Sequence, residues 1–84
     1  MKVVATRGYE KRVRRLMSDD ERLVAEAEIV ARPEVWPVVA GTGGARKARV
    51  AMRGHGKRGG GREIYFFRAS PGLLALLDVY AKGE

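Results

Sequence analysis

Lys47 and Arg49 stand two residues apart in the segment Arg46-Lys47-Ala48-Arg49-Val50. In an extended strand that spacing puts both side chains on one face. Arg62 opens the next apolar run, and Lys82 follows the last one. If the runs pair as neighbouring strands, the four cations gather at one end of a sheet. Guanidinium groups hold phosphate oxygens bidentately, and fixed cations stabilise the extra charge of a pentacovalent phosphoryl transition state. A ribonuclease built on cations needs no metal, because RNA carries its own 2′-OH nucleophile. The pattern by itself leaves open whether these residues cleave RNA or hold it.

The other reactive residues point less clearly. Gly54-x-Gly56-x-x-Gly59 has the letters of a dinucleotide fingerprint, but a strand is expected after it where the fingerprint requires a helix N-terminus. Gly56-Lys57 is not a phosphate-binding loop of the Walker type, because Arg58 stands where Ser or Thr would hold magnesium. His55 is the only histidine. In a glycine loop it has no partner to orient it, so it reads as a solvated side chain and not as a general base. Asp19, Asp20 and Glu21 suit the first turn of a helix, where they offset its dipole. No Asp/Glu pair has metal-like spacing, and no cofactor is implied. Trp36, close to Pro33 and Pro37, reads as a packing plug under a loop. Of the aromatic run Tyr65-Phe66-Phe67, one ring is expected to face the basic patch and stack on a base; we assign this to Tyr65. Glu63, beside Arg62, would lower the positive potential there.

The elements that must position these residues can be read in order. Lys2 to Ala5 is short, apolar and β-branched, as strands are. Thr6 can cap a helix in which Tyr9, Val13, Leu16 and Met17 share a face. Ser18-Asp19-Asp20-Glu21 is a capping box that opens a second helix, with Leu23, Ala27 and Val30 on one face. Pro33 and Pro37 end it. After Gly44 the period becomes two: Ala48, Val50 and Met52 alternate with Lys47, Arg49 and Arg53. Residues 54 to 61 form a turn or loop, and Ile64 to Arg68 is a strand. Ser70-Pro71-Gly72 makes a tight turn. Leu73 to Tyr80 is nearly apolar throughout and reads as a central strand buried on both faces, with a short helix as the alternative that periodicity leaves open. The expected class is therefore α+β: an N-terminal strand and a helical hairpin on a small antiparallel sheet, in a single domain spanning 1–84.

Composition sharpens the partner. The chain has 84 residues, no cysteine and a net charge of +7. Residues 41–65 hold eight of the eleven glycines and contribute +6 of that charge. The basicity is thus a local patch on an otherwise balanced protein, and such a patch fits a polyanion, most commonly nucleic acid. A membrane surface would call for a basic amphipathic helix, for which this stretch is too rich in glycine. No apolar run is long enough to span a bilayer, and the first residues lack a secretory core, so a cytoplasmic protein is expected.

The stretch GTGGARKARVAMRGHGKRGGGREIYFF, followed by LLDVYAKGE, resembles the RelE/HigB toxins of bacterial type II toxin–antitoxin modules. That family carries a GTGG-x-RK-x-R strand, a G-x-GK-x-GG loop, an R-x-IYY-type strand and a YAK-x-E segment. With the first helix and the SDDE cap, the likeness spans nearly the whole chain. It implies a helical hairpin on an antiparallel sheet and a ribosome-dependent mRNA endoribonuclease (an mRNA interferase) that inhibits translation. Its partners would be the ribosome with A-site mRNA and a cognate antitoxin of helix-turn-helix type. The implied catalytic cations fall on Lys47, Arg49, Arg62 and Lys82. RNA contacts fall on Arg46, Arg53, Lys57 and Arg58, with Tyr65 as the stacking residue. Members of the family commonly continue into a polar tail after the YAK segment, whereas the given sequence ends at Glu84. A non-catalytic ParE-like toxin and a plain RNA-binding module remain alternatives on the same fold.

Overall fold

The computed structural model describes residues 1–52 and 59–83. The element order is β1 (Lys2–Ala5), α1 (Arg7–Leu16), α2 (Asp19–Ala31), β2 (Ala45–Val50), β3 (Gly61–Arg68) and β4 (Leu73–Ala81). This is an α+β arrangement, with two helices on one face of a four-stranded sheet ordered β1-β4-β3-β2. The sheet is mixed where a purely antiparallel one was expected. β2, β3 and β4 form an antiparallel meander, but β1 pairs with β4 in parallel. The helical hairpin is the crossover that returns the chain after β1, and it leaves β4 in the interior of the sheet.

Local chemistry sets the helix boundaries. The Thr6 hydroxyl accepts from the Tyr9 N–H at 3.0 Å and donates to Leu77 O at 2.9 Å, which ties the start of α1 to β4. Ser18 and Glu21 form the reciprocal capping box of α2, at 3.0 and 3.1 Å. Tyr9, Val13 and Met17 of the first helical segment are buried as their spacing predicts. Tyr9 meets Glu26, and Glu10 meets Arg22. Rising numbers on α1 thus face falling numbers on α2, as in an antiparallel pair.

The inner face of α2 is not the expected one. Ala25 and Ile29 enter the core, whereas Leu23 is 70% exposed and Ala27 is also outside. Apolar residues surround this helix on several sides, so periodicity does not single out one face. The Arg22–Glu26 pair that flanks Ala25 and Ile29 is held by Glu10 and Tyr9 of α1, and this fixes the rotation.

The core lies between the helices and one face of the sheet. That face carries Ala48, Val50, Tyr65, Leu74, Leu76, Val79 and Ala81. β4 is central, but it is not buried on both faces: its burial largely alternates, because among the described residues no second layer covers the outer face of the sheet. Two glycines sit where a side chain would crowd its neighbours. A Cβ on Gly61 would lie 2.7 Å from Met52 Cε and 3.1 Å from Val50 Cγ2. Gly44, at φ +124°, turns the chain into β2 with the Phe66 ring 3.1 Å from where its Cβ would be.

Candidate nucleic-acid interface

The strand register places the cations. Arg49 of β2 is directly opposite Arg62 of β3, and Arg62 is opposite Tyr80 of β4. One row across the uncovered face of the sheet therefore reads Arg49, Arg62, Tyr80. Lys47 occupies the next row, opposite Ile64. Side chains directly opposite on an antiparallel pair stand about 5 Å apart at Cβ, and like charges so placed are destabilising. Neither arginine has a carboxylate within ion-pair distance among the described residues.

Each is held by something other than an acid. An Arg62 terminal N–H donates to Gly59 O and, at 3.0 Å, to Gly61 O. The Arg49 guanidinium lies over the Trp36 ring, 5.7 Å from its centroid, within the range of a cation–π contact. Together Trp36, Pro37, Lys47, Arg49 and Arg62 line an open concavity of about 350 Å³. That lies within the size range of small-molecule sites. Two further concavities have carboxylates in their walls, one with Asp20 and Glu21 beside Val24, the other with Glu28 beside Arg32. Of these three, only the first combines cations with no carboxylate in its described lining.

Three of the four expected catalytic cations thus come together. Lys82 does not line the concavity. Its main chain is fixed next to the start of β3, where its N–H donates to Gly60 O at 2.9 Å, and its side chain is exposed. Arg46 was expected on RNA. Its guanidinium instead donates to Trp36 O at 2.6 Å and Glu34 O at 3.2 Å, so it anchors the wall of the concavity. Tyr65 was expected to stack on a base, and here the expectation fails. The ring is 0% exposed in the core, its hydroxyl donates to Pro33 O at 2.7 Å, and burial pushes its pKa up. The reason is parity: side chains alternate along β3, so if Arg62 faces outward, Glu63 and Tyr65 face inward. Glu63 therefore does not sit in the field of Arg62 but points into the core. Arg53, Lys57, Arg58 and His55 lie outside the described residues.

Two residues of this surface escaped the sequence reading. Trp36 does pack against the core edge, yet it is only half-buried and also forms a wall of the basic concavity. Nothing in residue order brings position 36 to position 49. That takes the short bridge between Val38 and Arg46, which folds the segment after α2 along the edge of β2. Tyr80 replaces Tyr65 as the aromatic neighbour of Arg62, and only the β3–β4 register reveals it. Among the described residues no group of acids and histidines could hold a metal, and no helix is long and apolar enough to cross a membrane. No protein-family model matches the chain.

Proposed function

We propose that this protein is an RNA-cleaving toxin of the RelE/HigB kind, acting on ribosome-bound mRNA and neutralised by a partner antitoxin. The observation that carries the reading is the direct opposition of Arg49 and Arg62 on an uncovered sheet face, with Lys47 in the same concavity. Two arginines opposite each other, with no acid beside them among the described residues, are costly in the isolated protein, and a phosphate between them relieves the cost. The pattern shared with the toxins supports the choice of RNA.

In this reading the 2′-oxygen attacks the adjacent phosphorus and the bond to the 5′-oxygen breaks, leaving a 2′,3′-cyclic phosphate. The 2′-OH proton passes to solvent and the leaving oxygen takes one from it. Arg62, held by two carbonyls, and Lys47 stabilise the charge that builds on the phosphoryl oxygens. Among the described residues, the lining includes no carboxylate and no imidazole. This favours a mechanism in which the ribosome positions the 2′-OH in line, and it is also what a non-catalytic RNA-binding protein would show.

Primer-extension mapping of cuts in translated mRNA separates the two. Arg62→Ala should lose roughly 100- to 1,000-fold in cleavage rate while keeping most of its ribosome affinity. His55→Ala should cut as the wild type does. Ribosome binding without any cut by the wild-type chain selects the binding protein. A dead His55→Ala beside an active Arg62→Ala moves the active site elsewhere.

A further inference from the structure

We propose that Trp36 and Arg49 form a stacking wall for a nucleobase, so that the concavity takes one nucleotide of single-stranded RNA with its phosphate on Lys47 and Arg62. This rests on RNA being the ligand of the basic face, and it adds a base-binding element that phosphate contacts do not supply.

The placement of Trp36 carries the argument. Tryptophan is rarely buried completely even where it only packs, so its position says more than its exposure. This one is half-buried, and it stands in a wall shared by two concavities, one basic and one containing Glu28 and Arg32. On the basic side it is overlaid by a planar guanidinium 5.7 Å from its centroid. An indole and a guanidinium are both sequence-tolerant stacking surfaces for bases. Pro37 extends the apolar wall, and Lys47 and Arg62 supply positive charge across from it.

The wall is also rigid. The Tyr65 hydroxyl holds Pro33 O, Arg46 holds Glu34 O and Trp36 O, and the Val39 N–H donates to Ala45 O at 2.7 Å. Side-chain groups of Arg46 and Tyr65 and the main chain of β2 thus hold the segment between α2 and β2, so little ordering cost remains at binding. A nucleobase stacked on the Arg49–Trp36 pair would place its phosphate toward Lys47 and Arg62, which line the same concavity.

Trp36 is the only tryptophan of the chain, so its fluorescence reports this wall directly. The experiment titrates the full chain with adenosine 3′-monophosphate, with inorganic phosphate, and with a single-stranded oligoadenylate and its abasic counterpart. The adenylate should quench the emission saturably. Phosphate should leave the emission unchanged and compete with the adenylate. Read by the fluorescence anisotropy of dye-labelled strands, because the variants lack the tryptophan, Trp36→Ala should bind oligoadenylate roughly 5- to 100-fold more weakly than wild type, Trp36→Phe should retain most of the affinity, and the abasic strand should not distinguish the three. Circular dichroism confirms that each variant is folded. Oligoadenylate that binds wild type and Trp36→Ala equally, with no change in emission, overturns the stacking wall and leaves the RNA reading intact. Failure of both strands to bind wild type overturns the RNA reading, and the wall with it.

Discussion

Glu63 and Tyr9 meet in the core, the Glu63 Oε1 lying 3.0 Å from the Tyr9 hydroxyl, on the side of β3 opposite to Arg62. The same hydroxyl is 2.8 Å from Glu26 Oε2, which also accepts from Arg22 Nε at 2.7 Å. A phenol has one hydrogen and two acceptor sites. It therefore donates to one carboxylate only, and the second contact is satisfied if the other carboxyl brings its own proton. Glu26 has the arginine, so Glu63 is the acid that holds a proton. Its Oε2 finds no partner among the described residues, as suits a neutral group in an apolar setting. Burial pushes the Glu63 carboxyl up to about 7, with the Tyr9 bond opposing the shift, the Glu26 charge adding to it and Arg22 opposing. Burial pushes the Tyr9 phenol up, and the charge that Glu63 takes on once it ionises and the bond to Glu26 push it further, so the phenol keeps its proton.

The first prediction is a loss of stability on the alkaline side. The groups that face Glu63 are Tyr9 from α1 and Glu26 with Arg22 from α2, while its cross-strand neighbours are the apolar Ala48 and Val79. Its folded pKa is raised above the unfolded value of 4.5. The proton therefore stabilises the fold fully below that value, and the contribution is lost as pH rises through about 7. The full loss amounts to about 3 kcal/mol, a large share of a small domain's stability. Glu63→Gln keeps a donor for the phenolic oxygen and cannot ionise. Urea unfolding from pH 5 to pH 9 should show wild type falling across neutrality and Glu63→Gln staying level. Equal slopes would mean that Glu63 is ionised throughout. Glu10, held below the ordinary carboxylate range by Arg22, acts in the opposite sense and weakens the fold only as pH falls into the acid range.

The second prediction concerns the phenol. Tyr9→Phe removes the group that contacts both carboxyls and leaves Glu63 buried with no partner. The cost should be about 1–3 kcal/mol. In Glu63→Met the stranded acid is gone, so adding Tyr9→Phe to it should cost less than adding it to wild type. Additive losses in this double-mutant cycle would show that the two side chains do not interact.

Legibility from sequence followed the range of the interactions. The Thr6 cap, the Ser18–Glu21 box and the alternation through Ala48, Val50 and Met52 are short-range, and each stands where the residues place it. The opposition of Arg49 and Arg62 followed from one hairpin. The parity that sends Tyr65 inward is present in its odd spacing from Arg62 along β3, whereas its aromatic character alone suits a core and a stacking surface equally. The inner face of α2 was not legible, because apolar residues lie on several of its sides and the choice depends on Tyr9 and Glu10 of another helix. The parallel pairing of β1 with β4, the meeting of Trp36 with Arg49 and the Tyr9–Glu63 contact all join positions far apart or across a long loop, which no periodicity records.

The last prediction tests whether the cations of the sheet face contact phosphate as a set. Each phosphate neutralised on a single strand releases counterions, and the logarithm of the binding constant falls with the logarithm of salt by roughly 0.7 per contact. Lys47, Arg49 and Arg62 line one concavity, whereas Lys82 lies outside it and Arg46 is committed to two backbone carbonyls. Lys47→Gln and Arg62→Gln should each make the salt slope shallower by roughly 0.7, and the double variant by about twice that. Arg46→Gln should behave differently. It should weaken binding through loss of the Trp36 wall, visible as a shifted tryptophan emission in the unbound protein, with little change in slope. Fluorescence-anisotropy titrations of single-stranded RNA across a salt series read both quantities. If Arg46→Gln flattens the slope while Lys47→Gln leaves it unchanged, the phosphate path runs along the outer edge of β2 and not through the concavity.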